Sequence, residues 1–146
     1  MWMYSIVTYL HFMSIFMLFS ALIVELSIIK EKMTSNHIKI LRKANLFFGV
    51  FAGLTVVTGL LRMYYFGKGV DYYSSNSIFV VKFSLFIIVG FLSIYPTIQF
   101  FKLGKFTSET VGIRRFKNIL FIIKLELVLL LLIPFLGVLV AKGIGL

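Results

Sequence analysis

The sequence predicts an all-α fold, a four-helix bundle that spans a membrane. Hydrophobic residues make up 60% of the 146 residues and charged residues only 14%, whereas soluble domains carry about 25% charged residues. Four apolar stretches are long enough to cross a bilayer as helices, which takes about 20 residues at 1.5 Å each. The basic residues collect in the short segments between these stretches. We therefore expect a single integral membrane domain, residues 1–146, embedded in a lipid bilayer.

The expected spans cover about residues 5–29, 45–66, 78–101 and 118–141. The first stretch has no basic segment before its apolar core and no small-residue cleavage site after it, so we expect a retained helix and not a signal peptide. The chain has no cysteine. Disulfides, thiolate metal sites and cysteine nucleophiles are therefore excluded.

The basic residues also predict the orientation of the bundle. Five lie in the first connection and five in the third, whereas the second connection holds only Lys68 and the tails only Lys142. The positive-inside rule then places the first and third connections in the cytoplasm and both termini outside, on the periplasmic side of a bacterial cytoplasmic (inner) membrane. Topology thus accounts for the formal charge of +10, and we expect no nucleic-acid partner. The ten residues are Lys30, Lys32, Lys39, Arg42, Lys43, Lys102, Lys105, Arg114, Arg115 and Lys117.

Glycines and tyrosines indicate further packing features. Gly49 and Gly53, followed by Gly59, have the spacing that lets helices approach closely in lipid. We favour packing within the bundle over a dimer seam. Tyr72 and Tyr73 lie in the second connection, where interfacial anchoring is favoured over a ligand role.

Ionisable residues within the spans are costly and usually mark a function. At 1.5 Å per residue, His11, Arg62 and Lys82 lie ~6–9 Å from the outer ends of three different spans. They form one layer, and Glu25 and Glu126 form a second layer nearer the cytoplasm.

Helical periodicity predicts which side chains turn inward. His11 and Glu25 point within ~40° of the same direction, which defines the inward face of the first span. Glu126 is expected to turn inward, and Lys124 toward the cytoplasmic surface. The inward face of the first span also carries Ser14, Leu18 and Ala21, and a polar face of the second carries Thr55, Thr58 and Arg62.

The outer layer has the chemistry of a cofactor site. A neutral imidazole is a good axial ligand for haem iron, and two cations would match the haem propionates. We therefore predict His11 as the metal ligand, and Arg62 and Lys82 as cofactor-binding residues for haem b. A second ligand could be neutral Lys82, a methionine such as Met13 or Met63, a partner subunit, or none. A quinone headgroup is an alternative ligand.

Simpler interpretations of these residues stay open. Arg62 and Lys82 could extend to the outer headgroups, and Glu25 could pair with a lysine of the first connection. Glu126 could be a neutral acid that is hydrogen-bonded across helices. No soluble-enzyme motif such as a Gly-rich phosphate loop or HExxH is present.

The chain resembles a bacterial family of small predicted membrane proteins, domain of unknown function 2214. The resemblance covers nearly the whole chain and is most specific between the second and third spans. It is carried by residues 59–69, Tyr72-Tyr73, Asn76, Lys82 and residues 92–97, with His11, Glu25, residues 125–127, Ile133-Pro134 and residues 141–143.

More distantly, the layout resembles HemJ-type protoporphyrinogen oxidases and the CopD membrane domain. HemJ-like proteins carry a His in the first helix, a Lys early in the third and a Glu in the fourth, the places held here by His11, Lys82 and Glu126. The resemblance implies a haem b site at His11, with Lys82 important beside it. We predict Lys82 and Glu126 as catalytic residues, with Glu126 as a proton relay. The Trp-rich segments and the Asn-Glu-x-Pro pattern of HemJ are missing here, which argues against porphyrinogen oxidation itself.

The function predicted from the sequence is a haem b or tetrapyrrole-binding membrane protein with a redox role. Its electrons would pass to a quinone or a redox partner, because the chain offers no other redox centre. One alternative is an accessory or assembly subunit of a larger membrane complex. Another is a transporter or proton channel that uses Glu25 and Glu126, for which four helices would call for a homo-oligomer.

Overall fold

The computed structural model describes residues 1–103 and 110–146. Four helices in these ranges are long and apolar enough to cross a membrane, which confirms the all-α, four-helix architecture. A short helix, α3, connects the second spanning helix to the third. The helices are α1 Trp2–Ile28, α2 Ser35–Leu61 with a π-helical turn Arg62–Phe66, α3 Val70–Ser75, α4 Ser77–Leu103 and α5 Phe116–Ala141.

The second spanning helix begins at Ser35, well before the expected start at Asn45. Ile38, Leu41 and Ala44 recur at helical spacing and are buried, so the helix continues as an amphipathic segment beyond its apolar run. The charged residues of this segment lower its mean hydropathy, so the apolar pattern alone predicted a shorter helix.

Two short strands join the connections on one side of the bundle. Strand β1, Lys32–Thr34, pairs antiparallel with β2, Thr110–Gly112. The α1–α2 and α4–α5 connections are thereby hydrogen-bonded to each other. We call this side, which carries most of the basic residues, the basic side, and the opposite side, with α3 and the chain ends, the terminal side. Lys105, one of the basic residues expected there, lies outside the described residues.

Packing is uneven along the bundle. α1 packs along α2, and α4 packs along α5, with sparser contact between the two pairs. The apolar core lies mainly in the half of the bundle nearer the basic side. Its fully buried members include Leu22, Leu41, Phe100, Ile119 and Ile123.

The α4 helix is the least covered of the four. Only 6% of an 18-residue apolar stretch of α4 is buried, against 28–33% of the corresponding stretches in the other three spanning helices. Its buried residues begin at Val89, so the terminal half of α4 is at most partly buried, through side chains such as Lys82, Leu85 and Phe86. This helix is therefore held mainly through its basic half.

A hydrogen-bonded clasp closes the terminal side. The Tyr72 hydroxyl donates to the Val140 carbonyl at 2.7 Å, and the Asn76 amide donates to the Ile144 carbonyl at 3.0 Å. The Asn76 side-chain oxygen also accepts the Phe79 N–H at 3.0 Å and so caps α4. Tyr72 thus ties the last turn of α5 to the second connection, in addition to the interfacial place expected for it.

The glycines of α2 differ from the expectation. A methyl group added at Gly49 or Gly53 would meet nothing within 4 Å, and both residues are exposed. Packing of this glycine pair within the bundle was therefore the wrong interpretation. Gly59 does pack internally, against His11.

Candidate functional site

The His11 side chain is buried and has a fixed hydrogen bond. Its Nδ1 lies 2.9 Å from the Thr58 hydroxyl oxygen, and that hydroxyl donates its own hydrogen to the Leu54 carbonyl at 2.7 Å. A hydroxyl has one hydrogen to give, so the imidazole Nδ1–H donates to Thr58. In the neutral ring the other nitrogen, Nε2, then carries the lone pair.

Gly59 provides the room for this ring. A methyl group at Gly59 would lie 3.4 Å from His11 Cε1, so the imidazole rests directly against the α2 backbone. Thr55 and Thr58, buried on the same helix face, complete the polar lining that the sequence predicts for α2. The inward orientation of His11, Ser14, Leu18, Ala21 and Glu25 is also confirmed, because all five are buried.

Arg62 opens the π-helical turn that ends α2. Its guanidinium carbon lies 5.9 Å from the Phe12 ring centroid, and its Nε is buried without a hydrogen-bond partner in the described part of the chain. A methyl group at Gly67, just after the turn, would collide with the Arg62 carbonyl oxygen. Glycine at this position therefore permits the turn that places Arg62.

Lys82 also turns into the bundle. Its Nζ would lie 3.5 Å from a methyl group at Gly137 of α5, and it lies 5.9 Å from the Phe79 ring centroid. The lysine is therefore packed across α4 and α5 and does not extend freely to the terminal surface.

These side chains share one electrostatic environment. Arg62 and Lys82 both lie close enough to His11 for their charges to act on it, and Arg62 acts on Lys82 as well. No carboxyl group of residues 1–103 or 110–146 takes part. Two cations thus stand together without a described counter-ion, an arrangement that favours an anionic ligand. We call His11, Thr58, Arg62 and Lys82 the His11 cluster.

A surface hollow of about 340 Å³ lies close to the cluster. Leu60, Met63 and Tyr64 line it from α2 and its π turn, and Phe79 and Phe83 line it from α4. A second hollow of about 350 Å³ lies on the basic side around Arg115–Asn118. Neither is lined by His11, Arg62 or Lys82, so the imidazole is packed and borders neither hollow.

A second polar group lies in the half of the bundle nearer the basic side. Glu25 and Glu126 are each 1% exposed, and Glu25 lies close enough to Glu126 for their charges to interact. The side-chain amide of Asn45, itself buried, lies beside Glu25. We call Glu25 and Glu126 the carboxyl pair. Lys124 is exposed, as expected, while Glu126 turns inward.

The two groups are separate. His11 and Glu25 lie ~21 Å apart along α1, and Glu126 lies ~17 Å along α5 from Gly137, beside Lys82. Leu18, Leu22 and Leu130 are buried between the two levels. His11, Arg62 and Lys82 therefore come together as expected, whereas Glu126 joins Glu25 and not Lys82.

Sequence reasoning missed several supporting residues. Asn45 marked only the expected start of the second span, and Gly67 and Gly137 carried no signal of their own. Their roles depend on contacts between helices that are distant in sequence. The π turn has no sequence signature beyond the adjacent Gly67.

No three His, Asp or Glu side chains converge in the described ranges. A metal site made of several such protein ligands is therefore not found there, and a single imidazole ligand such as His11 is a different case. Neither a curated protein nor a solved structure matches this chain. One family does match, over residues 3–145, and it is described as "Predicted membrane protein (DUF2214)". The chain therefore belongs to this family of predicted integral membrane proteins.

Proposed function

We propose that this protein binds haem b or a related tetrapyrrole in the terminal half of the bundle. His11 would be the axial ligand, and Arg62 and Lys82 would bind the propionates. The observation that carries the proposal is a buried imidazole whose Nδ1 is committed to Thr58, beside two cations that have no described counter-ion.

The donor set fits this group. An axial histidine commonly donates its other ring N–H to a neighbouring acceptor, which fixes the tautomer and the ring orientation. Thr58 supplies that acceptor for His11. Propionates would offer Arg62 and Lys82 the charge-assisted hydrogen bonds that they lack. Bound haem would supply one-electron chemistry at its iron.

Space for the ring would have to open between α2 and α4. Neither hollow reaches His11. The nearer hollow is lined by Met63, Phe79 and Phe83, which lie on the same helix turns as Arg62 and Lys82. The α4 helix is also the least buried of the four spanning helices, and its buried residues begin only at Val89. Movement of this half away from α2 would admit a flat apolar ring. Met63 could then serve as a second axial ligand, and a quinone or redox partner could exchange electrons at the bilayer surface.

The two histidines of the chain give a matched test. Purified protein, or protein titrated with haemin, should show a Soret band that His11→Ala abolishes. His37→Ala should keep the band, because His37 is exposed on the basic side and bonded to Thr34. Arg62→Gln and Lys82→Gln should each weaken haemin binding about tenfold, or about 1.4 kcal/mol. Absence of the band after titration, or equal loss in both histidine variants, contradicts the proposal.

The exposure of α4 favours a second candidate function, an accessory subunit of a larger membrane complex. Because only 6% of the apolar stretch of α4 is buried, most of this helix surface is free to contact another chain. This candidate predicts a colourless protein that co-purifies with a defined complex. Phe91 lies on the exposed face of α4, so Phe91→Lys should abolish the co-purification. Retention of the complex in that variant contradicts it.

The proposed orientation follows from the uneven distribution of positive charge. We propose that the basic side faces the cytoplasm of a bacterial cell and that the His11 cluster lies near the opposite membrane surface. Single cysteines can be introduced without background, because the chain has none. A cysteine at Ser75 should react with an impermeant thiol reagent added to intact cells, and one at Lys39 should not.

A further inference from the structure

We propose that the carboxyl pair and Asn45 form a second site that binds a proton. This site is distinct from the His11 cluster, and it does not depend on whether haem binds there. One proton held on Glu25 or Glu126 would neutralise part of the pair, and the Asn45 amide would donate to the carboxyl group that stays ionised.

Burial of the two side chains is the first argument. Glu25 and Glu126 are each 1% exposed. The Oε1 atom of each is buried with no hydrogen-bond partner in residues 1–103 and 110–146. Buried polar atoms are nearly always paired, so two orphan oxygens on neighbouring side chains indicate a small group that bonds to both.

The local charge indicates which group this is. Among the described residues, no lysine or arginine acts on either carboxyl, so the alternative in which Glu25 pairs with a lysine of the first connection is not observed. Two adjacent carboxylates in apolar surroundings repel strongly, so such pairs retain a proton. A proton held on one carboxyl removes this repulsion and turns one of the buried carboxyl oxygens into an O–H donor.

The surrounding elements offer no competing charge. From α2, Asn45 is the neighbour of the pair, while the Arg42 guanidinium lies 4.9 Å from the Phe101 ring centroid. The α4 sequence between Lys82 and Lys102 holds one titratable side chain, Tyr95, and no charged one. On α5, Lys124 is exposed.

The position of the site indicates where the proton is exchanged. Glu25 lies ~5 Å from the end of α1 on the basic side, whereas buried leucines separate it from the His11 cluster. Exchange therefore takes place with water on the basic side, and no polar path to His11 follows from the described contacts. Calcium and magnesium take six or more oxygen ligands, more than the side chains of Glu25, Glu126 and Asn45 supply by themselves.

Carbodiimide labelling tests the proposal on the full-length protein in lipid vesicles. Dicyclohexylcarbodiimide reacts with a protonated carboxyl in an apolar setting: the acidic proton moves to a carbodiimide nitrogen, and the carboxyl oxygen bonds to the central carbon. Peptide mass spectrometry should find the adduct on Glu25 or Glu126. Labelling should fall at least about tenfold in strongly alkaline buffer, because it follows the protonated fraction. Exposed Glu31 in the same chain is the internal control and should stay unlabelled.

Variants identify the reactive group. Glu25→Gln should restrict labelling to Glu126, and Glu126→Gln should restrict it to Glu25. The double variant should abolish labelling, whereas Lys124→Gln should leave it unchanged. Wild-type protein that is never labelled in acidic, neutral or alkaline buffer overturns the proposal. So does suppression of wild-type labelling by sodium at constant pH, since that result identifies a cation site. Both decisive results come from the wild type, so they stand even if a variant fails to fold.

Discussion

The His11 cluster and the carboxyl pair are both polar groups inside an apolar bundle, but they are built in opposite ways. The cluster is cationic, and its histidine is hydrogen-bonded to a threonine. It lies in the half of the bundle where α4 contributes no buried residue. The carboxyl pair is acidic and has orphan oxygens. It lies in the half that holds most of the apolar core.

This difference shows what each group can exchange. The setting of the His11 cluster, with Gly59 and Gly137 against its side chains and a partly exposed α4 beside it, is the one that a large ligand can enter. The setting of the carboxyl pair, within the apolar core, leaves room for something of atomic size. Burial by the surrounding helices thus separates two polar groups that the sequence presents as similar layers of ionisable residues.

The largest expected effect is the loss of stability when a core side chain is removed from the half of the bundle nearer the basic side. Phe100→Ala removes a side chain with 0% exposure, which should lower the free energy of unfolding by about 3–5 kcal/mol. Phe91→Ala, at a position that is 69% exposed, should change it little. Thermal unfolding in detergent measures both variants. Equal losses would show that the packing contrast along α4 does not hold.

The free energy of unfolding should change in opposite directions when the polar side chains of each region are replaced by apolar ones. Glu25→Leu combined with Glu126→Leu replaces the whole buried carboxyl pair with apolar side chains and should raise the free energy of unfolding by about 1–4 kcal/mol. Thr58→Val removes the acceptor for His11 Nδ1 and should lower it by about 1–3 kcal/mol. The same unfolding assay compares them. If this double variant destabilises the protein, the two carboxyls have partners beyond each other and Asn45.

A smaller effect distinguishes two glycines of α2. Gly59→Leu drives a side chain against His11 and should cost about 1–3 kcal/mol while weakening haemin binding. Gly53→Leu points away from the bundle, where nothing lies within 4 Å, and should be nearly neutral in the monomer. Calorimetry and haemin titration check the pair. A large loss for Gly53→Leu together with a change of oligomeric state would instead place a chain–chain contact at Gly53.

The smallest energetic effect is expected on the basic side. Lys32 and Gly112 are register partners in the β1–β2 pair, and paired strands bring Cα atoms within disulfide range. Cysteines at these two positions should cross-link under mild oxidation. While reduced, they should change the free energy of unfolding by less than about 1 kcal/mol, because both positions are exposed. Cysteines at Thr34 and Gly112, out of register, should cross-link much more slowly on a gel-shift assay.

Much of the fold could be predicted from the sequence, because a bilayer imposes simple rules. Length and hydropathy gave the four spans, and helical periodicity correctly turned His11, Glu25 and Glu126 inward and Lys124 outward. The lining role of Thr58 followed from the same periodicity. These features are local, so they can be read from a single stretch of chain.

Other features depend on contacts between distant segments. The β1–β2 pair joins strands of three residues each, too short to show a periodic pattern. Asn45 lies beside Glu25 only because α2 packs along α1. Gly49 and Gly53 have a spacing that fits two uses, and only the packed structure shows that they face away from the other helices.

The strand pair also limits how the molecule can deform. It fastens the connection of α1 and α2 to that of α4 and α5, so one helix hairpin cannot slide lengthwise past the other without breaking the register. The remaining relative motion is a swing about this fastening as a pivot, and it is limited on the terminal side by the second connection and its hydrogen bonds to Val140 and Ile144. Displacement then grows with distance from the pivot, so a swing that widens the gap around His11 by several ångströms shifts Glu25 and Glu126 far less.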